Sequence, residues 1–222
     1  MQSVLVDVYT PAARSLPPEV KSIIAISRYV PAQGDYEEIT WGYYQSLDTA
    51  MLEVADSCLS GFASELSSSD HFRVRTPKGH RMFKHNGDDL PKVLPWCGLL
   101  TICKKEYANA IALLEGFSIR EENPLVKVSE DSQGSGFTAS QKIVVTTAWR
   151  IQEPEKHRTF VEDVFTFSKL ITVSGETKED ALRNLPDRKD RLIMASAWAG
   201  QEFARLIKPG VVGLKRNYYS KG

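Results

Sequence analysis

One stretch of the sequence constrains the fold more than any other, because residues 47–66 carry a helical pattern of apolar side chains. Apolar residues recur there at steps of three and four, at Leu47, Met51, Val54, Ala55, Cys58, Leu59, Phe62 and Leu66. This spacing places them on one side of a helix. At 1.5 Å per residue the helix would be roughly 30 Å long, enough to cross several strands. The pattern therefore predicts an amphipathic helix that lies across a sheet.

The residues on either side of this helix are typical of strands. Residues 22–29 contain the continuous apolar run Ile23-Ile24-Ala25-Ile26, which indicates an interior strand covered on both faces. Residues 72–75 alternate between apolar and charged side chains, as a second strand would. A strand, a helix and a strand in this order form the crossover unit that joins parallel strands. A further short strand is predicted near Val6.

The pattern changes to a period of two from Ala110 onward, which predicts strands. The first strand should place Ile111, Leu113, Phe117 and Ile119 on one face. The next should do the same with Ile143, Val145, Thr147, Trp149 and Ile151, and its partner carries Phe165, Phe167, Ile171 and Val173. A turn at Pro154 makes the last two a long antiparallel hairpin. The polar, glycine-containing residues 121–140 are expected to form a mobile loop.

The remaining elements complete the predicted architecture. Residues 96–107 read as a short helix and residues 187–208 as a second long helix, whose central small residues imply close approach to its support. Residues 211–219 read as a final strand. We therefore expect one α/β (α+β) domain over residues 1–222, with two long helices and one short helix packed on a mixed, partly antiparallel sheet.

Composition narrows the possible classes of protein. The chain has 222 residues, and its 28 basic and 28 acidic side chains give a net charge of zero. No global field would draw it to nucleic acid, so we expect no nucleic-acid partner. No run of about 18 apolar residues suggests a membrane span. Three cysteines fit neither a disulfide framework nor a zinc module.

The cysteines themselves are better explained by packing than by chemistry. Cys58 lies on the apolar side of the long helix and should be a small core residue. Cys97 and Cys103 are six residues apart on one helix, so they should be about 9 Å apart on different faces, too far for a disulfide. We expect both to stay reduced.

The 77–89 loop contains the most plausible metal or anion ligands. His80, His85, Asp88 and Asp89 are weak candidates for metal ligands, and Lys78, Arg81 and Lys84 could form an anion patch. The two histidines are neither one helical turn apart nor on one strand face, so they match no established ligand spacing. A solvated loop is the simpler interpretation, and we expect no metal or cofactor.

Two other groups of residues could form a binding site or a catalytic site. The first combines aromatic and basic residues suited to single-stranded nucleic acid, namely Lys215, Arg216, Tyr218, Tyr219 and Lys221. A charged sheet edge explains them better. The second contains carboxylates that could form an acid–base pair, namely Glu115, Glu121, Glu122, Glu162 and Asp163. Strand alternation predicts that most of these point to solvent. Phosphate-loop, dinucleotide-loop, nucleophile-elbow and zinc-protease motifs are absent from the sequence, so we name no catalytic residue and expect no enzyme.

The order of elements resembles the α/β domain of bacterial envelope lipoproteins. Three segments carry this resemblance, PAARSLPPEVKSIIAISRY, LPWCGLLTICKKEYANAIALLEGF and KPGVVGLKRNYYSKG. They look like an uncharacterised family of Bacteroidetes lipoproteins, whose domain is similar to that of the curli secretion lipoprotein, the penicillin-binding-protein activators and the amino-terminal domain of TolB. The resemblance implies an exported, lipid-anchored protein of the periplasm or outer membrane, often with helical repeats after this domain. Any lipid anchor would lie outside this chain, which would be the amino-terminal part of a longer protein.

Two functions remain open from the sequence. The leading hypothesis is a non-catalytic binding or assembly module of the cell envelope, which contacts a protein partner or a second copy through a sheet edge or the long hairpin. The competing hypothesis is a small-ligand-binding protein or enzyme, with a cleft between the 77–89 and 134–136 loops. A deep pocket with convergent polar groups would favour the second, and an open edge would favour the first.

Overall fold

The computed structural model describes residues 2–10, 12–31, 47–69, 71–77, 90–131 and 134–218. Its strands are β1 (Gln2–Thr10), β2 (Ser22–Ser27), β3 (Arg73–Arg75), β4 (Ala110–Glu121), β5 (Leu125–Asp131), β6 (Gly134–Glu153), β7 (Arg158–Gly175) and β8 (Gly210–Tyr218). Its helices are α1 (Leu47–Ser67), α2 (Trp96–Lys105), α3 (Lys178–Arg183) and α4 (Arg188–Ile207), and one turn of 3₁₀ helix (Pro154–Lys156) joins β6 to β7. The predicted helices and most predicted strands are therefore confirmed.

Six of the strands form one mixed, open sheet in the order β3-β2-β4-β6-β5, and β7 pairs with β6 as well. β2 runs parallel to β3 and β4, as the crossover unit predicted. β4 and β5 follow one another along one edge of β6, and β7 runs antiparallel along the other edge. The predicted final strand, β8, is confirmed, but its partner within the described residues is β1 rather than the main sheet.

The main core lies between one face of this sheet and the two long helices. The apolar side of α1 is buried there as predicted, at Met51, Val54, Ala55, Cys58, Leu59, Phe62 and Leu66. The odd-numbered residues of β6 from Ile143 to Ile151 pack against it. A smaller core on the opposite face holds α2 against β2 and β4. We call these the α1/α4 face and the α2 face of the sheet.

The two long helices approach each other unusually closely. A Cβ atom added to Gly200 of α4 would overlap the backbone carbonyl of Cys58, and one added to Gly61 of α1 would overlap that of Ala197. The buried Ser196 hydroxyl donates a hydrogen bond of 2.6 Å to the Val54 carbonyl oxygen across the same contact. The small residues of α4 thus allow close approach as predicted, but the element they approach is α1.

One predicted face of β4 is wrong. Ile111 and Leu113 lie in the smaller core beneath α2, whereas Phe117 and Ile119 pack in or against the main core. The register against β6 shifts between Leu114 and Gly116, which is a β-bulge with one extra residue. An extra residue reverses the alternation of every side chain that follows it. The two halves of β4 therefore serve opposite faces of the sheet.

The predicted mobile loop at residues 121–140 is also wrong over most of its length. It contains β5, which pairs with the first residues of β6 from Leu125 opposite Ser140 onward. β5 combines three apolar residues with charged and polar ones, and it is followed by the glycine-containing start of β6, so the segment shows no sustained apolar alternation. Backbone pairing with β6 makes β5 a strand in spite of this composition.

The C-terminal end of α2 carries a strained residue. The amide of Ala108 donates to the Cys103 carbonyl at 2.9 Å and that of Tyr107 to the Lys104 carbonyl at 3.3 Å, which is the Schellman arrangement. Tyr107 has φ of 53°, in the left-handed region where glycine is favoured. Its side chain is 83% exposed. Little packing offsets this backbone cost.

The close contact between α1 and α4 can be tested by replacing glycine with alanine at three positions, one variant at a time. Gly61→Ala and Gly200→Ala should each destabilise the protein by more than about 2 kcal/mol, because a methyl group there forces α1 and α4 apart. Gly98→Ala in α2 is the matched control, since a Cβ at that position meets nothing within 4 Å. It should stabilise the protein by roughly 0.5 to 1 kcal/mol through helix propensity. Urea denaturation measures all three, and equal effects would contradict the described contact.

Tyr107 gives a second test. Tyr107→Gly should raise the free energy of unfolding by roughly 0.5 to 1 kcal/mol, because glycine adopts the left-handed conformation without the steric cost of a Cβ atom. Thermal and urea unfolding monitored by circular dichroism would measure the change. A loss of stability would show that the Tyr107 side chain makes a contact that offsets its backbone strain.

Candidate functional site

The longest exposed strand edge in the described structure belongs to β7. This strand has 18 residues and pairs with β6 from Arg158 to Gly175. No other described strand pairs with its outer edge. An edge of this kind presents unpaired backbone N–H and C=O groups, which another chain can use. The edge is therefore the first candidate for a binding surface.

Side chains cap the backbone at two positions of this edge. Near the beginning, the Asp163 carboxylate accepts a hydrogen bond of 2.9 Å from the Val164 amide and also pairs with Arg14 at 3.0 Å. Near the end, the Asn184 side-chain amide donates to the Ser174 carbonyl oxygen at 2.9 Å. Residues 165–173 lie between these caps, and we call them the open edge. At about 3.3 Å per residue they span roughly 30 Å.

The alternation of an antiparallel pair tells which backbone groups of the open edge face outward. Both capped groups, at Val164 and Ser174, belong to even-numbered residues. From Val161 to Gly175 the register with β6 has no further shift. The even-numbered residues of the open edge therefore direct their N–H and C=O groups away from β6. Thr166, Ser168, Leu170 and Thr172 are these residues.

The open edge has little of the charge that commonly protects strand edges. Lys169 is the one charged residue in the sequence of residues 165–173. Its ammonium group lies 5.0 Å from the centroid of the Trp198 ring on α4, a cation–π contact that holds the side chain against the α1/α4 face. An edge lysine usually discourages pairing by projecting its charge along the edge. Here that charge is directed onto a helix.

Beside the open edge, the α2 face of the sheet carries exposed aliphatic side chains. Leu170 is 60% exposed and Leu125 is 65% exposed, and the register places both on this face. Hydroxyl pairs lie between them, with Ser140 and Thr172 at 3.3 Å. The face thus offers apolar and hydroxyl contacts to a chain that pairs with the open edge.

A buried ion cluster lies on the α2 face, between the bulge of β4 and the first part of β7. Glu115, the extra residue of the bulge, accepts hydrogen bonds from Arg28 and from Arg150, the latter at 2.6 Å. Arg150 also donates to the Pro91 carbonyl oxygen at 2.9 Å and to Glu162 at 2.8 Å. Glu115, Arg28 and Arg150 are buried, whereas Glu162 is 43% exposed. The cluster joins β4, β6, β7 and the residue that follows β2 to the chain segment before α2.

The electrostatics of the cluster follow from this burial. Desolvation raises the pKa of the Glu115 carboxyl above its usual value, and the two guanidinium groups oppose that shift. Desolvation likewise lowers the pKa of Arg28. Removing the Glu115 carboxylate would take away the charge partner that the buried Arg28 and Arg150 share. The arrangement is suited to holding strands together, because each carboxylate oxygen of Glu115 is bonded to an arginine.

The expected exposure of the five carboxylates holds only in part. Glu122 and Glu162 are exposed, and Asp163 is half-buried. Glu115 is buried and Glu121 is half-buried, where it pairs with Arg188 and Arg191 of α4. The sequence contained a signal for Glu115, because it is a charge within the otherwise apolar run AIALLEGF. The bulge that turns it inward was not predicted.

The predicted metal and anion candidates cannot be placed. His80, His85, Asp88 and Asp89 lie outside the described residues, as do Lys78, Arg81 and Lys84. Among the described residues no group of three or more His, Cys, Asp or Glu is arranged to hold a metal ion. The hypothetical cleft between the 77–89 and 134–136 loops also involves undescribed residues, so it stays a prediction.

The basic and aromatic residues near the C-terminus are only partly described. Lys215, Arg216 and Tyr218 belong to β8, whose backbone pairs with β1, and Tyr219 and Lys221 lie outside the described residues.

The three cysteines are free thiols, with Cys58 and Cys103 buried and Cys97 exposed on α2. Burial raises the pKa of Cys103 to about 12 and that of Cys58 further, which disfavours the reactive thiolate. Among the described helices, none combines the length and apolar character needed to cross a bilayer.

The fold and the site together define a mixed α/β domain with a long strand edge that carries little charge. A family model described as Domain of unknown function (DUF8603) matches residues 20–219. The chain belongs to this family. The family description assigns no activity, and comparison with curated proteins finds no match.

Several solved structures are similar to this chain over most of its length. The PelC dodecamer from Paraburkholderia phytofirmans has 8% identity and a TM-score of 0.35, with 92% of this chain and 98% of that chain covered. A neuraminyllactose-binding hemagglutinin homolog from Helicobacter pylori has 12% identity, a TM-score of 0.39 and coverage of 89% and 86%. Uncharacterized lipoprotein B from Nitrosomonas europaea has 11% identity, a TM-score of 0.37 and coverage of 87% and 84%. Scores at this level carry no argument about function.

The ion cluster can be tested with two glutamates that share one arginine. Glu115→Gln should destabilise the protein by about 3 to 5 kcal/mol, because it removes the carboxylate that the buried guanidinium groups of Arg28 and Arg150 share. Glu162→Gln is the matched control, since it bonds the same Arg150 from a half-exposed position and should cost less than about 1 kcal/mol. Chemical denaturation followed by tryptophan fluorescence gives both values. Similar losses for the two variants would contradict the burial of Glu115.

Proposed function

We propose that this domain is a non-catalytic binding module that takes up an extended segment of a protein partner as an additional strand on the open edge of β7. One observation carries the proposal. The edge is capped by Asp163 at one end and by Asn184 at the other, and no described strand pairs with the residues between. Strand addition is a common way for a sheet edge to bind an extended peptide.

The energetics of this mode suit the described surface. Each backbone hydrogen bond that a partner strand forms with Thr166, Ser168, Leu170 or Thr172 contributes about 0.5 to 1.5 kcal/mol net. Selectivity would come from alternate side chains of the partner, which lie over the adjacent sheet face. There they would meet exposed aliphatic groups such as Leu170. An extended segment with alternating aliphatic residues and little charge fits this surface best.

The proposed setting is the cell envelope, by resemblance of the three sequence segments to envelope lipoproteins. A lipid anchor outside this chain would be the contact with the membrane. A second copy of the chain is the other possible source of the added strand, and it would pair β7 with β7 across a twofold axis.

The first experiment locates the partner by photo-crosslinking in the native host. A photoreactive amino acid at Leu170, on the open edge, should give a protein adduct. The same probe at Arg183, an exposed position on α3, is the control and should give none. Mass spectrometry then identifies the adduct as a partner or as a second copy. Equal labelling at the two positions would contradict a specific role of the edge.

The second experiment tests strand addition with the identified partner. Ser168→Pro removes an outward N–H group and leaves the β6 ladder intact, so it should weaken binding by about tenfold or more. Ser168→Ala keeps the backbone and should bind as the parent protein does. Ser168→Lys adds a charge to the edge and provides a second disrupting variant. Calorimetry measures the affinities, or sedimentation if the partner is a second copy. Unchanged affinity in both disrupting variants would refute the proposal.

A further inference from the structure

A separate open pocket of about 640 Å³ lies beside β3, the strand at the opposite edge of the sheet from β7. The end of α1, the strand β3 and the turn after α2 surround it. Its lining residues are Lys21, Ser22, Ser67, Ser69, His71, Phe72, Arg73, Val74 and Tyr107. The sequence did not single out this pocket, because its residues come from three distant parts of the chain.

The charge of this pocket is one-sided. Its described lining residues include Lys21, His71 and Arg73, and none of the described ones is acidic. Lys21 and Arg73 form no ion pair with any described residue, although most other arginines of the described chain do. Two cations without an ion pair among the described residues, in one concave surface, favour an anionic ligand. An arginine and a lysine together suit a phosphate group, which the guanidinium can bind with two parallel hydrogen bonds.

The end of α1 does not oppose an anion as strongly as a free helix end would. The carbonyl groups of a helix C-terminus usually carry partial negative charge. Here the Ser68 hydroxyl donates to the Glu65 carbonyl at 2.7 Å and the Ser69 hydroxyl to the Leu66 carbonyl at 3.0 Å. The Lys208 ammonium group also pairs with Glu65 at 3.2 Å. The two hydroxyl bonds satisfy two carbonyl groups in the last turn of α1 next to the pocket.

Tyr107 is the second observation that points to a ligand. Its backbone is held in the left-handed conformation and its ring is largely exposed, so neither local geometry nor burial explains a tyrosine at this position. Strain of this kind is commonly kept where a side chain serves a site. The ring lines the same pocket as Lys21 and Arg73. It offers a flat aromatic surface on which a planar group can stack.

We propose that this pocket binds a small phosphate ester of a planar molecule. The phosphate would lie against Lys21 and Arg73, and the planar part would stack on Tyr107. The rings of nucleobases stack on aromatic side chains in this way without a specific hydrogen-bond pattern. The proposal is independent of the open edge of β7, because β7 and β3 lie at opposite edges of the sheet.

Three probes separate the two parts of the expected ligand. Phenyl phosphate carries both the anion and the ring, inorganic phosphate only the anion, and phenol only the ring. In amide chemical-shift titrations, phenyl phosphate should shift residues 21–22, 73 and 107 and bind more tightly than inorganic phosphate. Phenol should cause no saturable change. The affinity for both phosphates should fall as salt is added, because the contact is electrostatic and accessible to solvent.

Three variants assign the contributions. Arg73→Gln should weaken both phosphates by about tenfold. Tyr107→Gly should reduce phenyl phosphate to the affinity of inorganic phosphate, and it leaves the backbone less strained, so the fold is retained. Lys105→Gln, at an exposed position in the last turn of α2, is the control and should change nothing. The proposal is overturned if phenyl phosphate does not saturate up to roughly 10 mM, or if Lys105→Gln matches Arg73→Gln.

Discussion

The contact between α1 and α4 is the constraint on which the rest of the structure depends. Because Gly61 and Gly200 have no Cβ atoms, the two helix backbones meet almost directly. This close approach brings Phe62 and Phe203 together above the sheet, where both rings pack against Trp149. The ring centroids of Phe62 and Phe203 lie 4.9 and 4.5 Å, respectively, from that of Trp149. The three rings fill the space under the crossing. The centre of the main core is therefore formed by one aromatic residue of each long helix and one of the central strand.

The position of α4 also affects the candidate binding edge. Phe165 of β7 packs against Phe203 at 5.0 Å, and Lys169 lies over Trp198. Contacts with the helix thus hold the odd-numbered side chains of β7 on the α1/α4 face. The even-numbered residues are left with outward backbone groups and exposed side chains. The chemistry of the open edge is in this sense a consequence of how the second long helix is packed.

The two edges of the sheet have different chemistry. On one side, β7 offers a long edge with a single, engaged lysine, which suits an extended peptide. On the other side, β3 is three residues long, contains Arg73 and Arg75, and adjoins a basic pocket. Between them the ion cluster of Glu115, Arg28 and Arg150 joins the central strands to their neighbours. A single domain can present two separate binding surfaces because its core lies between them.

The sequence by itself determined the elements and much of the core. The three- and four-residue spacing of α1 predicted its buried side, since a helix of that length needs a hydrophobic face to be stable. The alternation from Ile143 to Ile151 predicted one face of β6. Both are local patterns, and each repeats often enough to be read without knowing its partner. A sheet edge or the long hairpin was also expected as the contact surface, and this expectation stays a prediction.

Only the tertiary structure decided the features that depend on distant partners. The bulge at Glu115 is defined by its register against β6, more than 30 residues later, and it reverses the faces of Phe117 and Ile119. β5 became a strand because β6 pairs with it, although its own sequence mixes apolar and charged residues. The small residues of α4 met α1 rather than the sheet. Periodicity reports which side of an element is buried, but the choice of partner and register is made by long-range contacts, which the local sequence does not specify.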